Sequence, residues 1–320
     1  MDAVGPETTE LNIKMNSKSD VQLTYRIFDI IIRLTKGFKL RKKSYLFPYI
    51  LVTPAFVLIG ILAVGVTLMF WRGFHSFIPG KNLQGGLSFE HYRKLFFGFG
   101  ASFYLMTLVR TILISIVVTV TSLIFAIPAA YAIASTQSRR VRRLALIMLL
   151  VPFMMGESVR TIGWFLILGN NGALPWLTSF FGKEISLLGS IVAIWLGMFQ
   201  LMFPIATLVL LPAMTKIDPD LERVAQSMGA KSFQVWFRII IPLCRPGILG
   251  SSLVVLTLSM TEFAIPRILG QGKHPFVANS IQQIYFERGN INFGSAFGTV
   301  LLVVVILMVS IIGYFGKSRV

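Results

Sequence analysis

Residues suited to catalysis or metal binding are scarce in this 320-residue sequence, which has one cysteine, three histidines and 13 acidic residues. The single Cys244 excludes a disulfide within the chain. The histidines show no paired spacing on one helix face, which argues against a metal site. No Ser/His/Asp set and no group of acids is visible, so we do not expect an enzyme.

A phosphate-binding loop is also missing from the sequence. The nearest approach is Gly316-Lys317-Ser318, but position 311 is isoleucine where the motif needs its first glycine. This stretch also ends an apolar segment, whereas the motif opens a helix after a strand. The chain is therefore not expected to bind ATP by that route, and no cofactor or metal is expected in it.

Apolar residues, by contrast, are abundant: 55% of the sequence is hydrophobic and only 13% is charged. This balance is rare in soluble domains. A membrane-spanning helix needs roughly 20 apolar residues. Six segments reach that length, near 47–71, 104–134, 144–169, 188–212, 248–270 and 295–316. The sequence therefore predicts an all-α membrane protein with six transmembrane helices, occupying residues 46–317.

The positive charges predict how these helices are oriented. If the N-terminus is cytoplasmic, 20 of the 30 lysines and arginines lie on the inner side and seven in the outer loops. The positive-inside rule then places both termini, and the segment 213–247, in the cytoplasm. Residues 1–45 form a basic tail. The net charge of +17 favours anionic lipid headgroups over nucleic acid, because the excess lies beside the spans.

The segment 213–247 is a polar, helix-forming stretch between two apolar spans. Asp218 is suited to cap a first helix, Pro219 to open it, and Gly229 to end it in a left-handed conformation. Ser232 is suited to cap a second helix, which Pro242 is expected to stop. Two short helices joined by a tight turn are therefore predicted.

Each of these short helices has an apolar face at helical spacing. The first face is formed by Leu221, Val224, Ala225 and Met228, and the second by Phe233, Trp236, Phe237 and Ile240. A helix of this kind fits a groove on a partner protein. The alternative is an amphipathic loop that lies on the bilayer.

Charged residues within the spans are a second set of candidates. A charge at the bilayer centre costs roughly 2.5 to 3.5 kcal/mol on insertion scales, so such residues usually face protein or a water-filled cavity. Glu157, Arg160, Glu262 and Arg267 are expected to line or gate a translocation path. Glu157 and Arg160 are also spaced to form a structural pair on one helix, and that alternative stays open.

The segment 213–247 resembles the cytoplasmic "EAA" loop of the membrane subunits of binding-protein-dependent ABC importers. The family pattern is Glu-Ala-Ala, three residues, Gly, nine residues, Ile, one residue, Leu-Pro. Aligned on Gly229, the spacing holds through Ile239 and Pro242. Arg223 occupies the glutamate position, and Glu222 lies one residue earlier.

The likeness extends over about residues 46–316. Val151-Pro152-Phe153 followed by Arg160, and Asn292 to Ala296 before the last span, are similar to stretches in the spermidine/putrescine permease group. The resemblance implies a type I importer permease fold in a bacterial inner membrane. It also implies that the loop contacts an ATPase through residues Leu221, Glu222, Arg223, Val224, Ala225, Met228, Gly229 and Ala230.

The partners implied by the resemblance are two ABC ATPase subunits that hold ATP and Mg, a second permease subunit and a substrate-binding protein outside the cell. The second permease is either another copy or a different chain, and the polyamine group favours a different chain. The expected cargo is a polyamine or a similar small cation, with other small organic ions open. The alternative function is an ATP-independent channel or secondary carrier.

Overall fold

The computed structural model describes residues 46–76, 86–183, 185–218 and 220–317. Within these ranges the chain is helical, with one isolated β-bridge between His75 and Leu87. The expected N-terminal tail, residues 1–45, lies outside the described residues. The helices are, in chain order, α1 Leu46–Gly73, α2 Glu90–Phe97, α3 Ala101–Ser135, α4 Arg139–Met154, α5 Glu157–Leu168, α6 Ala173–Ser179, α7 Ile191–Met214, α8 Asp220–Ser227, α9 Ser232–Leu243, α10 Arg245–Thr261, α11 Ala264–Leu269, α12 Val277–Gln282 and α13 Ile291–Lys317.

Four of these helices, α1, α3, α7 and α13, are long and apolar enough to cross a membrane unbroken. Two further candidates are bent pairs. Helix α4 meets the segment Glu157–Ser179 at 92°, and α9 meets α10 at 70°. Counting each bent pair as one span gives six, the predicted number, although α9 of the second pair lies in the segment 213–247 and only α10 falls in the predicted span 248–270. The all-α membrane fold is confirmed.

Two of the predicted spans are interrupted. The stretch 144–169 is divided by Met155 and Gly156, where the backbone is extended, and 248–270 is divided by Glu262 and Phe263. Pro266 does not make the second break. It lies in the first turn of α11, where a backbone N–H has no helical partner and proline is tolerated.

The described residues divide into two units at the boundary between Val64 and Gly65. The second unit is a bundle in which α3, α7 and α10 pack most extensively on one another. Helix α3 buries a row of small hydroxyl residues, which lets membrane helices approach closely. This row consists of Thr107, Thr111, Ser115, Thr119 and Ser122. Across the bundle, the Ser251 hydroxyl donates to the Ala206 carbonyl at 3.1 Å and joins α10 to α7.

An apolar cluster lies at the end of the bundle next to the segment 213–247. It joins residues of α3, α7 and α9 with the link before α10, namely Ala130, Leu210, Met214, Val235, Ile240 and Cys244. Since all six are buried, the base of this segment is packed into the bundle. Its outer part, α8 and the following turn, has no buried residue from Asp220 to Ser227.

Candidate coupling loop and translocation site

Helix α8 begins as the sequence predicts. The Asp220 backbone N–H donates to the Asp218 side-chain Oδ1 at 2.9 Å, and the Leu221 N–H donates to the Asp218 carbonyl at 3.1 Å. Asp218 therefore satisfies N–H groups that the first turn leaves without a helical partner. Pro219, the expected opening residue, lies outside the described residues.

The end of α8 also matches its prediction. Gly229 has φ +86°, and its N–H donates to the Gln226 carbonyl at 2.9 Å. The Ala230 N–H donates to the Ala225 carbonyl at 3.0 Å, which completes a Schellman motif. Glycine is favoured here because side chains with a Cβ rarely adopt this backbone conformation.

The two expected boundaries of the second helix are wrong. Lys231, and not Ser232, is the N-cap residue of α9, and its N–H donates to the Gln234 side-chain Oε1 at 2.9 Å. Pro242 lies inside α9, since the preceding turn, Trp236–Ile240, widens into a π-helix. In a π-helix an N–H donates to the carbonyl five residues earlier, so the shift in partners means that the N–H missing from Pro242 is not needed. The chain bends at Cys244 instead, between α9 and α10.

The apolar face of the loop is largely exposed. Leu221, Val224, Phe233 and Phe237 are exposed, and Met228 has 84% of its surface accessible. Phe233 and Phe237 pack on each other with ring centroids 4.3 Å apart. Because the base of the loop is buried and its tip carries large apolar side chains into solvent, the tip has the character of a protein contact surface.

The two charged residues at the motif position have different environments. Glu222 is half-buried and accepts a hydrogen bond from the Tyr131 hydroxyl of α3, and its other oxygen accepts from Gln226 Nε2 at 3.2 Å. Arg223 is 68% exposed and its guanidinium lies 3.1 Å from Asp220 Oδ1. Glu222 is thus bound within the chain, while Arg223 faces outward.

The break between α10 and α11 is capped by a buried carboxylate. Glu262 is 8% exposed, and its Oε1 accepts from the N–H groups of Phe263 and Ala264, both at 3.1 Å. The Phe263 carbonyl accepts from Asn279 Nδ2 at 2.8 Å. The backbone groups freed by the break are therefore satisfied inside the protein, as they must be at membrane depth.

The break between α4 and α5 lies beside this carboxylate. Helix α5 begins at Glu157 and packs against α11, the helix that follows Glu262. Both acids line a cavity of about 290 Å³ together with the apolar side chains Leu201, Met202, Ile205, Leu258 and Phe263. Two broken spans thus bring two carboxyl groups to one cavity.

The two arginine candidates lie elsewhere. No ion pair joins Glu157 to Arg160 among the described residues: the Arg160 guanidinium lies 5.7 Å from the Phe153 ring centroid, and its Nε and Nη1 atoms are buried without a hydrogen bond. Arg267 donates to Gln282 Oε1 at 2.5 Å and lines a different cavity, of about 550 Å³. The alternative of a Glu157–Arg160 pair is therefore not what the structure has; Glu157 instead shares a cavity with Glu262.

Sequence reasoning missed Tyr131 and Gly156. Tyr131 lies 91 residues from Glu222 and near the end of an apolar span, where nothing distinguishes it from an ordinary interfacial aromatic residue. Gly156 followed by Glu157 does carry a signal. A glycine before an acidic residue is typical of a helix start, and it marks the break in the third span.

Comparison with known proteins places these features in a family. Residues 122–319 match the model of the binding-protein-dependent transport system inner membrane component. The chain is 29% identical over 226 residues to the spermidine/putrescine transport system permease protein PotB of Haemophilus influenzae, covering 70% of this chain and 77% of that protein. It is 24% identical over 289 residues to the sulfate transport system permease protein CysW of a Synechocystis strain, covering 88% and 94%.

A solved structure supports the same fold. A chain of a bacterial ABC transporter involved in the import of the acidic polysaccharide alginate superposes with a TM-score of 0.69, covering 90% of this chain and 99% of that one, at 17% identity. The relatives are permease subunits and not ATPases, so this chain is a transport component and not an enzyme. The chain belongs to the family of binding-protein-dependent transport system inner membrane components, and is a multi-pass permease subunit of the type I ABC importer fold.

Proposed function

We propose that this permease imports a small organic cation of the polyamine type into the cytoplasm, driven by ATP hydrolysis on separate subunits. The observation that carries the proposal is the pair of carboxyl groups, Glu157 and Glu262, in one cavity where two spans are broken. Transporters commonly bind substrate at such breaks near the middle of the membrane.

The charges at this cavity favour a cation. Two neighbouring carboxylates repel one another, and a cation between them relieves that repulsion. The apolar walls from Leu201, Met202 and Leu258 suit the methylene part of an organic cation. Arg160 offsets part of the negative charge, but its guanidinium lies over Phe153 and it does not line the cavity.

The relatives alone do not decide the cargo. One is named for spermidine and putrescine and another for sulfate, which have opposite charges. The alginate importer transports an acidic polysaccharide. The preference for a cation in this chain therefore depends on the two carboxyl groups.

The loop provides the connection to ATP. In this proposal the exposed face around Leu221, Val224 and Met228 enters a groove on an ABC ATPase subunit, which holds ATP and Mg. Helix α10 runs from the loop to Glu262, a distance of about 25 Å for its 17 residues. Closure of two ATPase subunits would thus move one end of a helix whose other end lies at the cavity.

The remaining partners follow from this arrangement. A second permease, which we expect to be a different chain, completes the path, and a substrate-binding protein delivers the solute from outside. Both termini then face the cytoplasm, together with the loop. The basic residues of the inner segments support this orientation.

Reconstitution of the complete transporter in proteoliposomes tests the proposal. Spermidine uptake should depend on ATP, and sulfate should not be taken up. Glu157→Gln and Glu262→Gln should each lower spermidine uptake roughly tenfold or more, because glutamine keeps the shape and the capping oxygen but removes the charge. ATPase subunits should still copurify with both variants.

Glu90→Gln is the matched control. Glu90 pairs with Lys94 at 2.6 Å on an exposed face of α2, so its neutralisation should leave uptake unchanged. Normal spermidine uptake in both cavity variants, or preferential uptake of sulfate, would refute the cation assignment.

A further inference from the structure

Helix α8 has two kinds of contact with the bundle. None of its residues is fully buried, but Ala225 packs against the apolar cluster at the base of the loop. Among the side-chain hydrogen bonds of the described residues, the contact from Tyr131 to Glu222 is the one that joins α8 to a membrane-spanning helix. This contact is therefore the polar anchor of α8, beside the apolar contact of Ala225.

Tyr131 also touches the second half of the loop. Its ring packs edge-to-face on Trp236 of α9, with centroids 5.0 Å apart and planes at 66°. One side chain of α3 thus contacts both arms of the loop, α8 through the hydroxyl and α9 through the ring. Tyr131 is preceded by the buried Ala130, which belongs to the apolar cluster at the base of the loop.

The hydrogen bond from Tyr131 also restricts the orientation of the Glu222 carboxylate. One carboxylate oxygen accepts from Tyr131 and the other from Gln226, so both oxygens have partners within the chain. These two bonds hold the carboxylate in one orientation, while each oxygen keeps a second lone pair.

We propose that Tyr131 is a positioning residue that fixes the coupling helix α8 to α3 through Glu222, so that movement of the loop reaches the bundle at α3 as well as along α10. The proposal rests on the coupling function proposed for the loop. It adds a second route by which force from an ATPase enters the bundle, since α3 packs against both α7 and α10.

Hydrogen exchange of the complete transporter tests the contact without requiring knowledge of the solute. Tyr131→Phe keeps the ring on Trp236 and removes only the hydroxyl. Amide exchange in residues 220–230 should then become about tenfold faster, because a hydrogen bond to a charged group is lost. Glu222→Ala should give the same increase, and the double variant should add nothing further. Glu222→Gln, which keeps an acceptor oxygen, should stay near the wild type.

The positioning role needs a second measurement, the stimulation of ATP hydrolysis by the solute-loaded binding protein. It should fall at least about threefold in Tyr131→Phe, while basal hydrolysis and ATPase copurification stay unchanged. Tyr104→Phe, which removes a hydroxyl that accepts from Arg288 at the other end of α3, is the matched control and should alter neither readout.

The outcomes separate the two proposals. Unchanged exchange in Tyr131→Phe, or fully additive effects in the double variant, would overturn the contact whatever the transporter carries. Faster exchange with unchanged ATPase stimulation would overturn the positioning role. Failure of the proposed function would appear elsewhere, as a wild-type complex that shows no ATP-dependent uptake of spermidine.

Discussion

The left-handed glycine at the end of α8 gives the sharpest test of the coupling loop. Gly229 has φ +86°, and a Cβ built on it meets no atom within 4 Å. The Cβ of a residue placed there by Gly229→Val therefore meets no neighbour, and the cost argued here is that of the backbone conformation. Forcing a residue with a Cβ into this region costs on the order of 1–3 kcal/mol.

That cost falls on the turn that aligns α8 with α9. Because 1.4 kcal/mol is a factor of ten in an equilibrium constant, we expect the ratio of open to closed Schellman turn to rise about tenfold or more. The apolar face of α8 would then point away from its present direction in a larger share of the molecules. ATP hydrolysis should continue while uptake falls, so the ATP consumed per solute should rise severalfold in proteoliposomes.

Gly100 offers a matched control within the same chain. It also has φ +86° with no atom within 4 Å of a built Cβ. Gly100 is the N-cap residue of α3 and lies at the end of α3 that is opposite Tyr131. Gly100→Val should carry a similar backbone cost, lowering the melting temperature to a similar extent, without changing the ATP consumed per solute. A wild-type ratio in Gly229→Val, at equal abundance in the membrane, would refute the role of the turn.

Two further predictions concern the exposed surface of the loop and His91 in helix α2. Met228→Asp, which puts a charge at the most exposed apolar position of the loop, directly after α8, should abolish copurification of the ATPase subunits, whereas Ser227→Asp on the neighbouring exposed polar position should preserve it; equal behaviour of the two would argue against an apolar contact. Burial lowers the pKa of His91 below its usual 6.5, and its Nε2 lies 2.9 Å from the His75 carbonyl. The His91 imidazole therefore binds a proton more readily in the unfolded chain than in the folded one. His91 should contribute stability to the folded state above pH 6.5, and this stability should be lost as the pH falls below 6.5. Melting temperatures measured from about pH 8 to about pH 5 should fall in the wild type and fall less in His91→Gln; parallel curves would contradict this.

The sequence predicts well whatever depends on local pattern. The six apolar segments, the Asp218 cap and the Gly229 turn each follow from residues close together in the chain. The boundary at Ser232 was wrong because the Gln234 side chain accepts from the Lys231 N–H, and the boundary at Pro242 because the preceding π-helix accommodates the proline. Propensity alone does not contain that information.

The candidate site depends on contacts between distant residues, and here the sequence is less informative. The spacing of Glu157 and Arg160 on one helix left a structural pair open as an alternative to the path. In the structure Glu157 and Glu262 line one cavity, because α5 packs on α11 across two breaks. The contact from Tyr131 to Glu222 likewise has no local signature. Of these two arrangements, only the first has a local signal: the Gly156-Glu157 pair marks the break before α5.

The central claim is that an ATPase holds the tip of the loop, and site-specific crosslinking tests it most directly. The sole cysteine of this chain, Cys244, is fully buried, so Met228→Cys introduces one accessible thiol on this chain. We expect a crosslinked product that contains this chain and an ABC ATPase subunit, with a yield that changes when ATP is added. A Met228→Cys chain that transports normally yet crosslinks only to lipid, or to no ATPase subunit, would contradict it.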